Sequence, residues 1–196
     1  MSAQKLPEDR DGFRFRGGSC VLDLAPTLRA RLSPAPLELL VTPADLGRWL
    51  VASGMVESMP VVNPDDLPLA KALREAIYTL ASRKGGAKAK EARQILNRIA
   101  AGAPAVPQFK SDGTAALTGP AGALLVSLAR EAVQLFGGDM AALVRKCQAP
   151  NCAIYFVDTS RKGDRRWCSM SGCGNKAKVA DFRRRQRRSA KSGKRK

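Results

Sequence analysis

Four of the chain's five cysteines fall in two matched pairs, Cys147, Cys152, Cys168 and Cys173, spaced C-x4-C-x15-C-x4-C. Each pair has the spacing of a structural zinc knuckle, and four thiolates on one ion fill a tetrahedral shell. The surrounding stretch, residues 145–182, carries too few apolar side chains for a core of its own, so something else must offset its ordering entropy. Metal binding supplies on the order of 10–16 kcal/mol in small zinc domains, enough to do so. Two other readings of cysteine compete with this one, the buried small hydrophobe and the disulfide. Matched pairs disfavour the first, and a reducing compartment disfavours the second. Cys20 has no partner at ligand spacing and reads as core.

The charge is as uneven as the cysteines. Residues 145–196 hold 17 Lys/Arg against three Asp/Glu, so +14 of the chain's net +17 sits in its last quarter. A surface that basic seeks a polyanion. The chain has no run of eighteen apolar residues, and its opening "MSAQKLPEDRDGFRFRGG" lacks the apolar centre and cleavage pattern of a signal peptide. The expectation is a soluble, cytoplasmic protein with no membrane partner. Histidine is absent, which removes the commonest general base and both Ser-His and Cys-His nucleophile pairs. With no phosphate loop either, no catalytic residue is assigned and no enzyme is expected.

The first three quarters of the chain read as a mainly helical α+β domain over residues 1–144. "FRFR" at 13–16 and "LELLV" at 37–41 look like short strands, with a helical run at 20–32 that Pro26 must bend or split. Thr42-Pro43-Ala44-Asp45 opens a helix whose inner face is Leu46, Trp49, Leu50 and Ser53. Asn63-Pro64-Asp65-Asp66 repeats that grammar before a longer helix with Leu67, Ala70, Leu73, Ile77 and Leu80 on one face. Further helices follow at Ala92 to Ile99 and over 120–136, with a hairpin around Asp112-Gly113 between them. A short helix from Asp139 leads into the first cysteine. Acidic residues such as Glu75 and Glu91 are expected to face solvent.

Residues 145–188 form a second module, a small treble-clef-like zinc finger of knuckle, β-hairpin and helix. "AIYFVDT" at 153–159 is β-prone, "SRKGD" turns at Gly163, and "RRWC" returns to the second pair as the other strand. From Gly174 the sequence permits a helix with Ala177, Ala180, Val179 and Phe182 packing inward. Its N-terminus would help hold the Cys173 thiolate. Residues 189–196 read as a basic disordered tail. Trp167 is expected in the core beside Cys168.

Residues 145–182 resemble the CGNR zinc finger, through Asp158-Thr159-Ser160-Arg161-Lys162-Gly163, then Arg165-Arg166-Trp167-Cys168-Ser169-Met170, then Cys173-Gly174-Asn175-Lys176. The preceding part is similar to the ABATE domain that accompanies this finger in bacterial proteins, through "FRFRGGSCVLDLAPTLRAR", "ELLVTPADLGRWL" and the Gly-Gly-Asp lead into the finger. The resemblance implies a stress-responsive bacterial transcription regulator that binds DNA through the finger. Two positions depart from the pattern: Lys176 stands where the family has arginine, and Pro26 where it has asparagine.

These readings converge on one structural zinc ion held by Cys147, Cys152, Cys168 and Cys173. They also converge on a DNA-binding surface drawn from Arg161, Arg165, Arg166, Asn175, Lys176, Lys178, Arg183, Arg184, Arg187 and Arg188. The expected partners are double-stranded DNA, a small-molecule effector of the first module, and a second copy of the chain. An RNA-binding finger and a thiol-based redox switch are the alternatives.

Overall fold

The computed structural model describes residues 7–192, with side chains through residue 186. The chain opens with a ribbon, β1 (Asp9–Arg10) against β2 (Phe13–Arg14), turned at Asp11 and Gly12, both with positive φ. The alternation of "FRFR" is used on both sides. Phe13 and Phe15 enter the core, while Arg14 and Arg16 stay half-buried on the opposite face. Gly17 ends the segment where no Cβ fits, since one would lie 2.7 Å from the Cβ of Leu22.

Helix α1 (Cys20–Leu24) is capped by Ser19, whose hydroxyl accepts from the Val21 amide. Pro26 then does what its ring requires: the expected helical run passes into a single 3₁₀ turn, Ala25–Thr27, and leaves as strand. That strand, β3 (Leu28–Arg29), pairs with β4 (Leu37–Glu38). The strand expected over 37–41 is thus two residues long, and Leu32 is exposed.

Helix α2 (Pro43–Ser53) begins with a reciprocal capping box between Thr42 and Asp45 and stops at Gly54 in the left-handed region. Helices α3 (Asp66–Ala81), α4 (Ala87–Ala100) and α5 (Ala121–Gly137) pack on one another as the body of the protein. Their buried positions follow the apolar periodicity: Ala70, Leu73 and Ile77; Ala92, Leu96 and Ile99; Leu124, Leu125, Leu128, Ala132 and Leu135. Trp49 is fully buried and stacks on Phe15, ring centroids 6.3 Å apart. The hairpin β5 (Val106–Phe109) with β6 (Ala115–Thr118) turns at Asp112-Gly113 as expected and lies on the outside.

One buried cation interrupts the apolar body. Arg74 lies on the inner face of α3, between Ala70 and Ile77, and is 4 % exposed. It forks onto Glu38 at 2.7 and 2.8 Å and reaches Glu75 at 2.9 Å. Arg31 also binds Glu75 and stacks over Tyr78. Glu75 is exposed, as expected, and is shared between these two arginines.

After a 3₁₀ turn, Asp139–Leu143, the chain enters β7 (Val144–Lys146), which pairs with β8 (Tyr155–Val157) in the register Val144 to Val157. Residues Tyr155 to Val157 form the expected strand, but the partner is β7 rather than the Arg165-to-Cys168 segment. The hairpin therefore closes around the first cysteine pair instead of spanning the gap between the two. The strand serves two cores at once: Tyr155 and Val157 join Val144 in the helical body, while Phe156 points the other way into a small cluster with Cys147, Ile154 and Cys168. A five-residue turn, Met170–Gly174, leads into α6 (Asn175–Ser192), which carries the chain to the end of the described residues. Among the described residues no helix is long and apolar enough to cross a membrane.

Candidate metal centre

The tip of the β7–β8 hairpin carries Cys147 and Cys152. Asn151, at φ 60, makes the tight reversal, and the Cys152 amide donates to Ala149. The second pair is delivered by a loop that the sequence motif builds. Asp158, nearly fully buried, accepts from the Ser160 amide at 3.0 Å, the Ser160 hydroxyl at 2.5 Å and the Arg165 amide at 3.0 Å. Those hydrogen bonds, with Ser160 first, hold the Asp158 carboxyl below the usual carboxylate range.

Arg165 then spends its guanidinium inside the finger. It donates to the carbonyls of Trp167, at 2.8 Å, and Cys168, and lies over the Phe156 ring. The amide of Gln148 donates to the carbonyl of Arg166 at 3.0 Å, and the Arg166 side chain returns to Gln148 at 2.8 Å, so the two knuckles are bonded to each other. Ser169, fully buried, caps the second knuckle by accepting from Gly172 at 3.1 Å. Its hydroxyl donates to Glu8, as does that of Ser171 at 3.1 Å.

All four cysteines are free thiols, and their sulfurs lie within 4.8 Å of one another. Cys152 and Cys168 are 3.9 Å apart and Cys168 and Cys173 3.7 Å. A tetrahedron with Zn–S bonds of about 2.3 Å has edges of about 3.8 Å, whereas a disulfide needs about 2.05 Å. The spacing therefore fits one zinc ion and excludes a bridge. With four sulfurs the shell is closed and offers no place for a catalytic water, so the ion is structural.

The thiols do not ionise independently. The neighbouring thiols of Cys152 and Cys168 hold Cys147 well below the usual thiol range, against a burial that pushes it up. The neighbouring sulfurs, Cys147 first, push Cys152 up to about 11 and Cys168 up further, and burial adds to both. So many thiolates at this spacing are tolerable only around a cation. The amide of Cys168 also donates to the Cys147 sulfur at 3.4 Å.

The residues expected to meet nucleic acid divide into two groups. Arg161, Arg166, Asn175, Lys176, Lys178, Arg183 and Arg184 are exposed; Arg165 is half-buried and engaged as above. Asn175, Lys176 and Arg183 come together on one face of α6, around a shallow groove with Val179 and Ala180. Arg184 pairs with Asp181 at 2.7 Å. The side chains of Arg187 and Arg188 lie outside the described residues, as do residues 193–196 of the expected tail. Ala180, Val179 and Phe182, expected to pack inward, are exposed, the last two at 41 % and 56 %, because α6 runs out from the turn that starts it and no described residue covers them. Trp167 is half-buried against the cysteine cluster, as expected.

Sequence reasoning passed over Glu8, Arg16 and Arg74. Arg74 had a signal, since its helical position falls on the apolar face of α3. Arg16, whose guanidinium packs where a Cβ on Gly172 would sit and pairs with Asp9 at 2.7 Å, had none beyond the alternation of "FRFR".

Residues 18–139 match the family model ABATE, described as "Putative stress-induced transcription regulator". Residues 144–186 match the CGNR zinc finger. No curated protein matches the chain. The family models describe a regulator and a zinc finger rather than an enzyme. Since the first match spans more than half of the sequence, the chain belongs to the ABATE family, and it carries a CGNR zinc finger at its C-terminal end.

Proposed function

We propose that this protein is a cytoplasmic bacterial transcription regulator that binds duplex DNA through its zinc finger and α6, with the helical body sensing a ligand or pairing with a second copy. The observation that carries the reading is the state of α6. Among residues 175–186 only Ala177 is even half-buried, so packing supplies little to this stretch of a helix whose 18 residues hold eight Lys/Arg and one Asp. A helix so charged repels itself in isolation, and neutralisation by phosphates removes that cost. The metal centre fixes where the helix starts and Arg161 and Arg166 add exposed charge beside it. Lysine at 176 supplies a point charge where a bidentate guanidinium fork is unavailable.

The test is titration of the zinc-loaded protein against duplex DNA and structured RNA in one buffer, with genome-wide capture of the tagged protein to find the sites. Tighter binding to duplex DNA that weakens steeply with salt is expected. Preference for RNA, or no binding to either, overturns the proposal.

A further inference from the structure

A cavity of about 440 Å³ lies between the N-terminal ribbons and the first knuckle, a volume in the range of small-molecule sites. One wall carries Arg14 of β2, Arg29 of β3, Pro26 and Leu28; the other is Asn151 to Ile154, including the zinc ligand Cys152. The arginines are the informative part. Arg14 and Arg29 are both half-buried, yet neither guanidinium forms a hydrogen bond or ion pair with any described residue. Arg31, the third arginine of the cavity, is already matched by Glu75. Their donors are taken up by no described residue, and two arginines lining one space match an oxyanion.

The geometry points to a binding site for a small organic anion, its phosphate or carboxylate against Arg14 and Arg29 and its apolar part between Pro26, Leu28 and Ile154. The site is concave and enclosed on two sides, which suits a small molecule better than a nucleic-acid backbone. Its occupant touches both the helical body and the loop that carries Cys152, so it bridges the two. That such a molecule acts as a signal rests on the regulator reading above; that it binds does not, and is measured without DNA.

Phenyl phosphate is the probe, titrated calorimetrically into the full, zinc-loaded chain. Saturable binding at one site per chain is expected, weakened about tenfold or more by Arg14→Ala or by Arg29→Ala, the loss of one charge-assisted bond, and abolished in the double variant. Arg183→Ala with Arg184→Ala is expected to leave it unchanged. Saturating phenyl phosphate should also slow zinc transfer to a chelator, in the parent but not in the Arg14/Arg29 double variant. Inorganic phosphate should bind more weakly; equal affinity removes the apolar walls from the site and overturns the organic-anion assignment. No saturable binding, or binding that survives loss of Arg14 and Arg29, overturns the site itself. A protein that fails to bind DNA yet binds phenyl phosphate in this way separates the two proposals.

Discussion

The backbone amide of Val157 donates to the carbonyl of Gly17 at 2.8 Å, and Gly17 donates its own amide to the Asp23 carboxylate at 2.6 Å. The strand that follows the first cysteine pair is thereby hung from the turn that ends "FRFR". One side of that strand belongs to the core of the helical body and the other to the cysteine cluster. Zinc removal should therefore have a sharp boundary. Hydrogen exchange on the chelated protein is expected to show lost protection at Gln148, Cys168, Gly172 and Gly174, whose amides bond only within the finger. The amide of Val157 and the helices α3, α4 and α5 should stay protected. Loss of protection throughout would show that body and finger unfold as one.

The metal itself is open to direct count. Purified, reduced protein should contain about one zinc per chain, with four sulfurs at about 2.3 Å in X-ray absorption. Cys168→Ser should lower zinc content, whereas Cys20→Ser, whose side chain bonds the Ser53 carbonyl in the body, should leave it unchanged. A mixed sulfur and oxygen shell in the parent protein would sink the all-cysteine assignment.

Arg165 is expected to be a residue of the finger's structure before it is a residue of its surface. Arg165→Ala leaves the carbonyls of Trp167 and Cys168 without that donor, at a cost of about 1–3 kcal/mol for a charge-assisted pair. Zinc transfer to a chelator should speed up accordingly. Lysine cannot bond both carbonyls in the same planar fork, so Arg165→Lys should rescue little. Unchanged zinc kinetics in both variants would free Arg165 for a role at the surface.

Asp23 makes the body's stability depend on pH in an unusual direction. Burial raises its carboxyl from 3.8 to about 7, outweighing the hydrogen bonds from the Gly17 and Arg16 amides and the attraction of Arg10. The folded protein then keeps a proton that the unfolded chain releases, and stability from this group is full below 3.8 and declines as pH rises toward 7. Asp23→Asn keeps an oxygen for the Gly17 amide and cannot titrate. Its melting temperature should vary less than the parent's across that window, and identical slopes would refute the assignment.

Much of this architecture was legible because it follows from periodicity and punctuation. The faces of α2, α3, α4 and α5, the turn at Asp112-Gly113 and the break at Pro26 each depend on residues close in sequence. The ligand set was legible for the same reason, since Cys147 with Cys152 and Cys168 with Cys173 are local pairs. What escaped depends on distant partners. Nothing near Tyr155 says that its strand pairs backward with Val144 rather than forward with the segment before Cys168. Nothing near Glu8 says that it meets Ser169, 161 residues away. The inward packing expected of Val179 and Phe182 failed because amphipathic spacing says which side of a helix is apolar but not whether a surface exists to receive it.

The exposed helix gives the last expectation. Because α6 has few packing partners and a high positive charge, its helicity should rise when a polyanion binds, visible as a gain in circular dichroism at 222 nm on adding duplex DNA. The binding constant should fall with salt at a slope of about −0.9 per phosphate contacted. Arg183→Ala with Arg184→Ala should flatten that slope and weaken all duplexes about equally, with zinc content unchanged. Asn175 and Lys176 sit nearest the knuckle, at the end of the helix that the metal centre holds in place, so Asn175→Ala or Lys176→Ala should instead change the preference among sequences if that end reads base edges. An unchanged affinity and slope in the double arginine variant would move the contact to the loop around Arg161 and Arg166, whose side chains are exposed beside the start of the helix.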